Sequence, residues 1–182
     1  MKTGSTVKYV LRLTLTLLVI TAVVAVILAA VNKVTAPIIA QQKAEKTQQA
    51  VQAVLPGGGE SVDFTDDTGL VTNVYRGEQG YAVEVAPQGF KGTITMMVGV
   101  DLQGNVLGIS VISHTETAGL GAICGADNSD GEAFRGQFVG TNGDLAVTKD
   151  GGTVDAITNA TITSRAVTEG VNAAVACVEN FG

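Results

Sequence analysis

The hydrophobic pattern of this chain changes period three times, and each change marks a different kind of element. From Leu13 to Val31 nineteen consecutive residues carry no charge and nearly all are apolar. At a helical rise of about 1.5 Å per residue they span roughly 28 Å, close to the ~30 Å hydrocarbon core of a bilayer. The stretch predicts a transmembrane helix. Pro37 to Leu55 then reads as a polar, Ala- and Gln-rich helix with a thin apolar face of Ile38, Val51 and Leu55, either separate from the span or continuing it as a stalk. Pro56-Gly57-Gly58-Gly59 stops it.

Beyond residue 62 the period shortens to two. Tyr81, Val83 and Val85 alternate with Ala82, Glu84 and Ala86, as in a half-buried strand. Pro87 to Gly92 is a turn. Ile94, Met96, Val98 and Val100 share one face of the next strand, and Asp101 to Asn105 supplies turn residues before a third strand from Val106 to Ser113. Such a meander is antiparallel.

Helical spacing returns in the second half. Asp130 is placed to cap a short helix whose Phe134 and Phe138 lie four residues apart on one face. Val167, Val171, Ala174, Val175 and Val178 predict a final helix from Thr163 or Ser164 to about Asn180. Gly170 in its interior costs about 1 kcal/mol relative to alanine and marks close packing against the sheet. The class is α+β: one N-terminal span, a mainly antiparallel sheet and a C-terminal helix. The expected organisation is 1–34 for the N-terminal flank and span, 35–61 for a stalk and Gly-rich linker, and 62–182 for the folded domain.

Charge adds sidedness. Six of the eleven basic residues lie in the first 46 positions, where only Glu45 is acidic, whereas five basic residues face sixteen acidic ones from Thr47 onward. An acidic domain does not seek nucleic acid or an anionic membrane surface, and its partners are basic protein faces. Lys2, Lys8 and Arg12 favour a cytoplasmic N-terminus and so a single-pass protein of the cell membrane with its domain on the extracytoplasmic side, against the pull of Lys33, Lys43 and Lys46. A cleaved signal peptide is the other reading of the segment, with a poor cleavage site around Val34 to Ala36. The apolar run is long for that, which favours an uncleaved anchor.

Cys124 and Cys177 are the only cysteines. They form no metal-ligand or haem-attachment spacing, so iron–sulfur chemistry carried by this chain alone is excluded. In an exported domain they could pair, while a buried thiol is the simpler reading of Cys177.

The chemistry concentrates in two segments. Asp155 to Ser164 is rich in hydroxyls immediately before the last helix, and Thr161 stands just upstream of N–H groups that would meet an anion. Ala160 beside it leaves room for a bulky group. Alone, such hydroxyls more often cap a helix. The second segment, His114-Thr115-Glu116-Thr117-Ala118-Gly119-Leu120-Gly121, offers glycines that let backbone approach a flat ring, with Thr117 to bond a polar edge and Leu120 to pack on a face. Read without the first segment, Gly119 and Gly121 merely shape a turn.

Asp155, Thr158, Ala160 and Thr161 match the flavinylation pattern Asp-x-x-Ser/Thr-x-Ala-Thr/Ser of FMN-binding domains, with Asn159 where glycine is common. The second segment resembles that family's His-x-Glu-Thr-Pro/Ala-Gly-Leu-Gly signature, and Phe134-Arg135-Gly136-Gln137-Phe138 its aromatic-x-x-Gln-Phe element. The chain is similar to the G subunits of Rnf electron-transport complexes and, less closely, to the C subunits of sodium-translocating NADH:quinone oxidoreductases. The resemblance implies FMN joined through its phosphate to Thr161 by a separate flavin transferase. It also implies a redox subunit of an ion-translocating oxidoreductase, an electron carrier whose partners include a second flavin subunit and an iron–sulfur subunit. Cofactor-binding candidates are Thr161, Asp155, Thr158, Ala160, His114, Glu116, Thr117, Gly119, Leu120 and Gly121.

Other chemistries recede. A dinucleotide fingerprint fails because the third glycine, Gly125, arrives one position late. His114 and Glu116 find no third metal ligand, and His114 reads as a satisfied polar residue. Asp127 to Glu132 lacks EF-hand spacing. Asn159-Ala160-Thr161 is formally a glycosylation sequon. His114, the sole histidine, has no recognisable nucleophile partner. Two alternatives stay open: a stand-alone membrane-tethered FMN shuttle, and a non-redox exported binding or adhesion domain.

Overall fold

The computed structural model describes residues 3–181 and falls into two compact units, Met1–Glu45 and Lys46–Gly182. A single helix, α1 (Thr3–Val54), runs through the first unit into the second with Pro37 inside it, so no separate helix begins at the proline. A ring nitrogen cannot donate to the preceding turn, a loss that a long flanking helix absorbs.

Within the first unit the span exposes its apolar side chains; Leu17 and Leu28, for example, are 64 and 63 % exposed. By length and composition this helix can cross a membrane. Its hydroxyls are tied back internally: Thr14, Thr16, Thr21 and Thr35 donate to the carbonyls of Val10, Arg12, Leu17 and Val31. Such back-bonding leaves no unpaired side-chain donor on these threonines, as a hydrocarbon solvent demands.

The second unit is built on a five-stranded antiparallel meander in chain order: β1 (Glu60–Val62), β2 (Val71–Arg76), β3 (Gly80–Val85), β4 (Thr95–Asp101) and β5 (Val106–Ser113). One face carries Val83, Val85, Met96, Val98 and Val100 against Val167, Val171, Ala174 and Val178 of the last helix, α3 (Thr161–Glu179). Ala82, Met97 and Ile112 on the other face pack with Ala50, Val51, Val54 and Leu55 from the end of α1. Every residue of β3 is therefore buried, where alternation predicts a half-buried strand. The second cover comes from a helix whose thin apolar face is hard to distinguish from a solvated one.

α3 begins two or three residues earlier than the apolar spacing predicts. Gly170 lies where a β-carbon would collide with the Met96 side chain and come within 2.9 Å of Pro87 Cγ, which bears out its close-packing role. The short helix α2 (Ser129–Gly136) is capped by Asn128, whose Oδ1 accepts the Gly131 N–H at 2.9 Å; Asp130 lies in the first turn instead. Phe134 and Phe138 are both core, meeting edge to face at 5.5 Å. Cys124 and Cys177 are buried and unpaired with each other.

Candidate functional site

Three turns of backbone meet at the start of α3. The hairpin between β3 and β4 is closed by bonds from Ile94 N to Pro87 O and from Gly89 N to Gly92 O, which put Phe90 and Lys91 at its tip. The loop after β5 folds over Gly119, whose φ of 73° turns the chain so that the Leu120 and Ala122 N–H groups both reach the Thr117 carbonyl. The third element is the Asp155–Ala160 approach to the helix.

Glu116 fastens its own loop to the hairpin and to the first turn of α3. It is buried; Oε1 accepts the Lys91 N–H at 2.8 Å and Oε2 accepts the Thr163 hydroxyl at 2.5 Å. A β-carbon on Gly121 would press against the Thr163 hydroxyl and come within 3.0 Å of Glu116 Cβ, so this glycine is needed for close approach rather than for a turn alone. The neighbouring Cys124 thiol is pushed up to about 11 by burial and then by the charge of Glu116.

The fastening leaves a cavity of about 320 Å³ bordered by Glu116, Thr117, Leu120 and Gly121 on one side and Asn159 to Thr163 on the other, with Phe90 across the mouth. That volume is at the lower end for small-molecule sites. Three apolar side chains stand open around it: Phe90 at 65 % exposure, Ile162 at 49 % and Leu120 at 37 %.

Thr161 is the first residue of α3 rather than one upstream of it, and its Oγ1 accepts a hydrogen bond from Lys149 Nζ at 3.0 Å. The hydroxyls nearby do not cap the helix. Ala160 occupies the N-cap position without a side-chain bond. Ser164 Oγ instead accepts the Ile157 N–H and donates to the Ala160 carbonyl, and Thr163 is committed to Glu116. First-turn N–H groups have no intrahelical acceptor, which leaves donors beside Thr161.

Asn159 adopts φ 60°, in the left-handed region. Asparagine tolerates that region better than most residues and glycine tolerates it best, which accounts physically for either residue at this position.

Not every sequence candidate gathers here. Glu116, Thr117, Leu120, Gly121, Ala160 and Thr161 do. Asp155 and Thr158 line a separate hollow of about 580 Å³ beside Phe134 and Gln137. Gln137 docks that segment as a sheet neighbour would: Oε1 accepts the Asp155 N–H at 2.7 Å and Nε2 donates to the Asp155 carbonyl at 3.2 Å. His114 borders neither space, and its Nδ1 is buried without a partner, contrary to the satisfied histidine expected. Gly119 acts through its turn. Sequence reasoning missed Phe90, Ile162, Thr163 and Lys149; a lone aromatic in a predicted turn was the one available signal.

Exposed apolar side chains around a half-open cavity, beside the free N–H groups of a helix start and a lysine, suit a planar ring bearing a phosphate, and the chain is of that class: residues 89–176 match the FMN-binding domain. It belongs to the family of G subunits of ion-translocating oxidoreductase complexes. It is 34 % identical to the G subunit of the Na(+)-translocating ferredoxin:NAD(+) oxidoreductase complex of Acetobacterium woodii, over 96 % of this chain and 94 % of that one. The G subunit of the ion-translocating oxidoreductase complex of Methanosarcina acetivorans is also 34 % identical, over 92 % and 94 % of the two chains. The G subunit of the proton-translocating ferredoxin:NAD(+) oxidoreductase complex of Clostridium ljungdahlii shares 34 % over 86 % and 84 %.

Proposed function

We propose that Thr161 carries FMN covalently through its phosphate and that the chain serves as the electron-carrying subunit of a membrane-bound, ion-translocating oxidoreductase complex. The observation that supports this most is the single cavity bordered by both Thr161 and the Glu116–Gly121 loop, segments forty residues apart in sequence. FMN, when bound, supplies one- and two-electron chemistry. This chain's residues tether, surround and shield it. Thr161 provides the ester oxygen, and Ala160 keeps the approach open. Phe90, Leu120 and Ile162 offer apolar surface to the ring, and Thr117 offers a hydrogen bond to its polar edge. Glu116 and Gly121 hold these walls together.

Asp155 and Thr158, outside the cavity and exposed, are the face that a flavin transferase reads during maturation. Residues 1–34 anchor the chain in the cell membrane, 35–61 link, and 62–182 present the flavin on the extracytoplasmic side. Partner subunits bearing a second flavin and an iron–sulfur centre exchange electrons with it and supply the ion path, since the span contains no charge from Leu13 to Val31.

Intact mass of the native protein tests the attachment: the chain should weigh more by one FMN less one water, and Thr161→Ala should lose that increment while folding normally. Denaturation-resistant flavin fluorescence in Thr161→Ala would move the attachment elsewhere. Protease added to right-side-out vesicles should digest the domain; protection would reverse the sidedness.

A further inference from the structure

Lys149 sits on a one-turn 3-10 segment, Thr148–Asp150, pinned by the pairing of Val147 with Val154. The turn delivers its ammonium to the Thr161 hydroxyl at 3.0 Å. Nothing in the sequence pairs these two residues, which are twelve positions apart. Asp150, next along the chain, is a carboxylate that could claim the lysine. It is already held by both nitrogens of a fork from Arg165, at 2.6 Å each. The Arg165 guanidinium keeps the Asp150 carboxyl below its ordinary range. Among the described residues Lys149 makes no salt bridge, and its one hydrogen bond goes to Thr161.

We infer that Lys149 is the residue that orients Thr161 for flavin attachment and balances the charge of the phosphodiester that results. The inference rests on the Thr161 attachment proposed above. An ammonium has donors and no acceptor, so the contact can form only by occupying a lone pair of Oγ1. The Thr161 proton is thereby turned away from Lys149, toward the open side where a base of the transferase reaches it. In the transfer, Oγ1 bonds to the flavin-side phosphorus of FAD and the bond from that phosphorus to the AMP oxygen breaks. AMP departs with the electron pair, and the hydroxyl proton passes to the transferase base. The product diester carries one negative charge, which the single charge of Lys149 matches. Asp150 is held by the Arg165 fork and feels the Lys149 charge only at longer range, without a hydrogen bond to it.

Lys149 is exposed, so replacing it should leave the fold intact. Full-length protein in detergent, incubated with purified flavin transferase and FAD, is followed by intact mass. Lys149→Gln should gain the flavin increment about tenfold more slowly at saturating protein, the low end for a lost charge-assisted hydrogen bond because solvent screens it. Lys149→Arg should recover most of the rate, and the concentration for half-saturation should change little in either variant. Wild-type speed in Lys149→Gln would overturn the role of Lys149 and leave the attachment at Thr161 standing. A change confined to half-saturation would also overturn it, making Lys149 a docking contact for the transferase. Wild-type protein that takes no flavin from a transferase active on another acceptor would remove both the attachment and the role.

Discussion

Glu116 and Thr163, 47 residues apart, share a short buried hydrogen bond that joins the loop after β5 to the first turn of α3. The other Glu116 oxygen holds the Phe90 hairpin, so one side chain sets the relative position of three walls of the cavity. Glu116→Ala should lower unfolding free energy by about 2–3 kcal/mol, because the Thr163 hydroxyl and the Lys91 N–H lose their acceptor in a buried place. Thr163→Val should cost about 1–2 kcal/mol. Denaturant titration of both single variants and the double variant should give a double loss smaller than the sum, with a coupling near 1 kcal/mol. Simple additivity would mean that the two residues do not act as a unit.

Asn159 supplies a second test, through backbone conformation alone. Asn159→Gly should be neutral or slightly stabilising, since glycine enters the left-handed region without penalty. Asn159→Val should cost about 1–2 kcal/mol and slow flavin attachment, because a β-branched residue at φ 60° strains the step into Thr161. Thermal melting with intact mass separates the two effects. Equal melting temperatures for the valine and glycine variants would refute the conformational account.

Cys124 predicts an alkaline limit. Its thiol is shifted up in the folded state to about 11, from an ordinary value near 9, by burial first and Glu116 second. The folded chain therefore binds the proton more tightly than the unfolded chain. The resulting stability is complete below about pH 9 and is lost as pH rises toward 11, by up to about 3 kcal/mol. Urea midpoints measured from pH 8 to 11 should fall more steeply for wild type than for Cys124→Ala. Parallel slopes would assign the alkaline loss to other groups.

Leu120→Asp addresses the ring. A carboxylate placed where Leu120 borders the cavity puts negative charge beside a flavin that becomes electron-rich on reduction. Two unit charges about 6 Å apart at an effective dielectric near 20 repel by roughly 3 kcal/mol, and Leu120 is open enough for water to remove part of that. Redox titration at matched flavin occupancy should show the variant harder to reduce. An unchanged potential would place the ring away from Leu120.

What the sequence disclosed followed from periodicity. Alternation gave β3 to β5, and three- and four-residue spacing gave α3, because each pattern sets its larger apolar side chains along one continuous face. The second cover of the sheet was legible in part: Val51 and Leu55 read as a thin apolar face and are buried against it, whereas Ala50 and Val54 did not stand out and Ile38, placed on the same face, is exposed. Within the candidate site, Thr161 and the Glu116–Gly121 loop stood out only through their resemblance to the FMN-binding motifs, since by residue type alone they read as a cap and a turn. Phe90 and Lys149 did not, since their roles depend on where a hairpin tip and a 3-10 turn come to rest. The hydroxyls before α3 show the same limit. Composition pointed to capping, whereas the fold commits Thr163 and Ser164 to tertiary hydrogen bonds and leaves the N-cap position to Ala160.

The meander is covered on one face by the end of the helix that opens the chain and on the other by the helix that closes it. During synthesis the first cover emerges before any strand does, and the second emerges only after every strand is complete. Until then Val83, Val85, Met96 and Val98 lack their helix, and Glu116 lacks Thr163. Thr161 also acquires its helical backbone only when the residues after it have left the ribosome. On the Thr161 attachment proposed above, flavin loading by a transferase that reads the folded motif follows the emergence of α3.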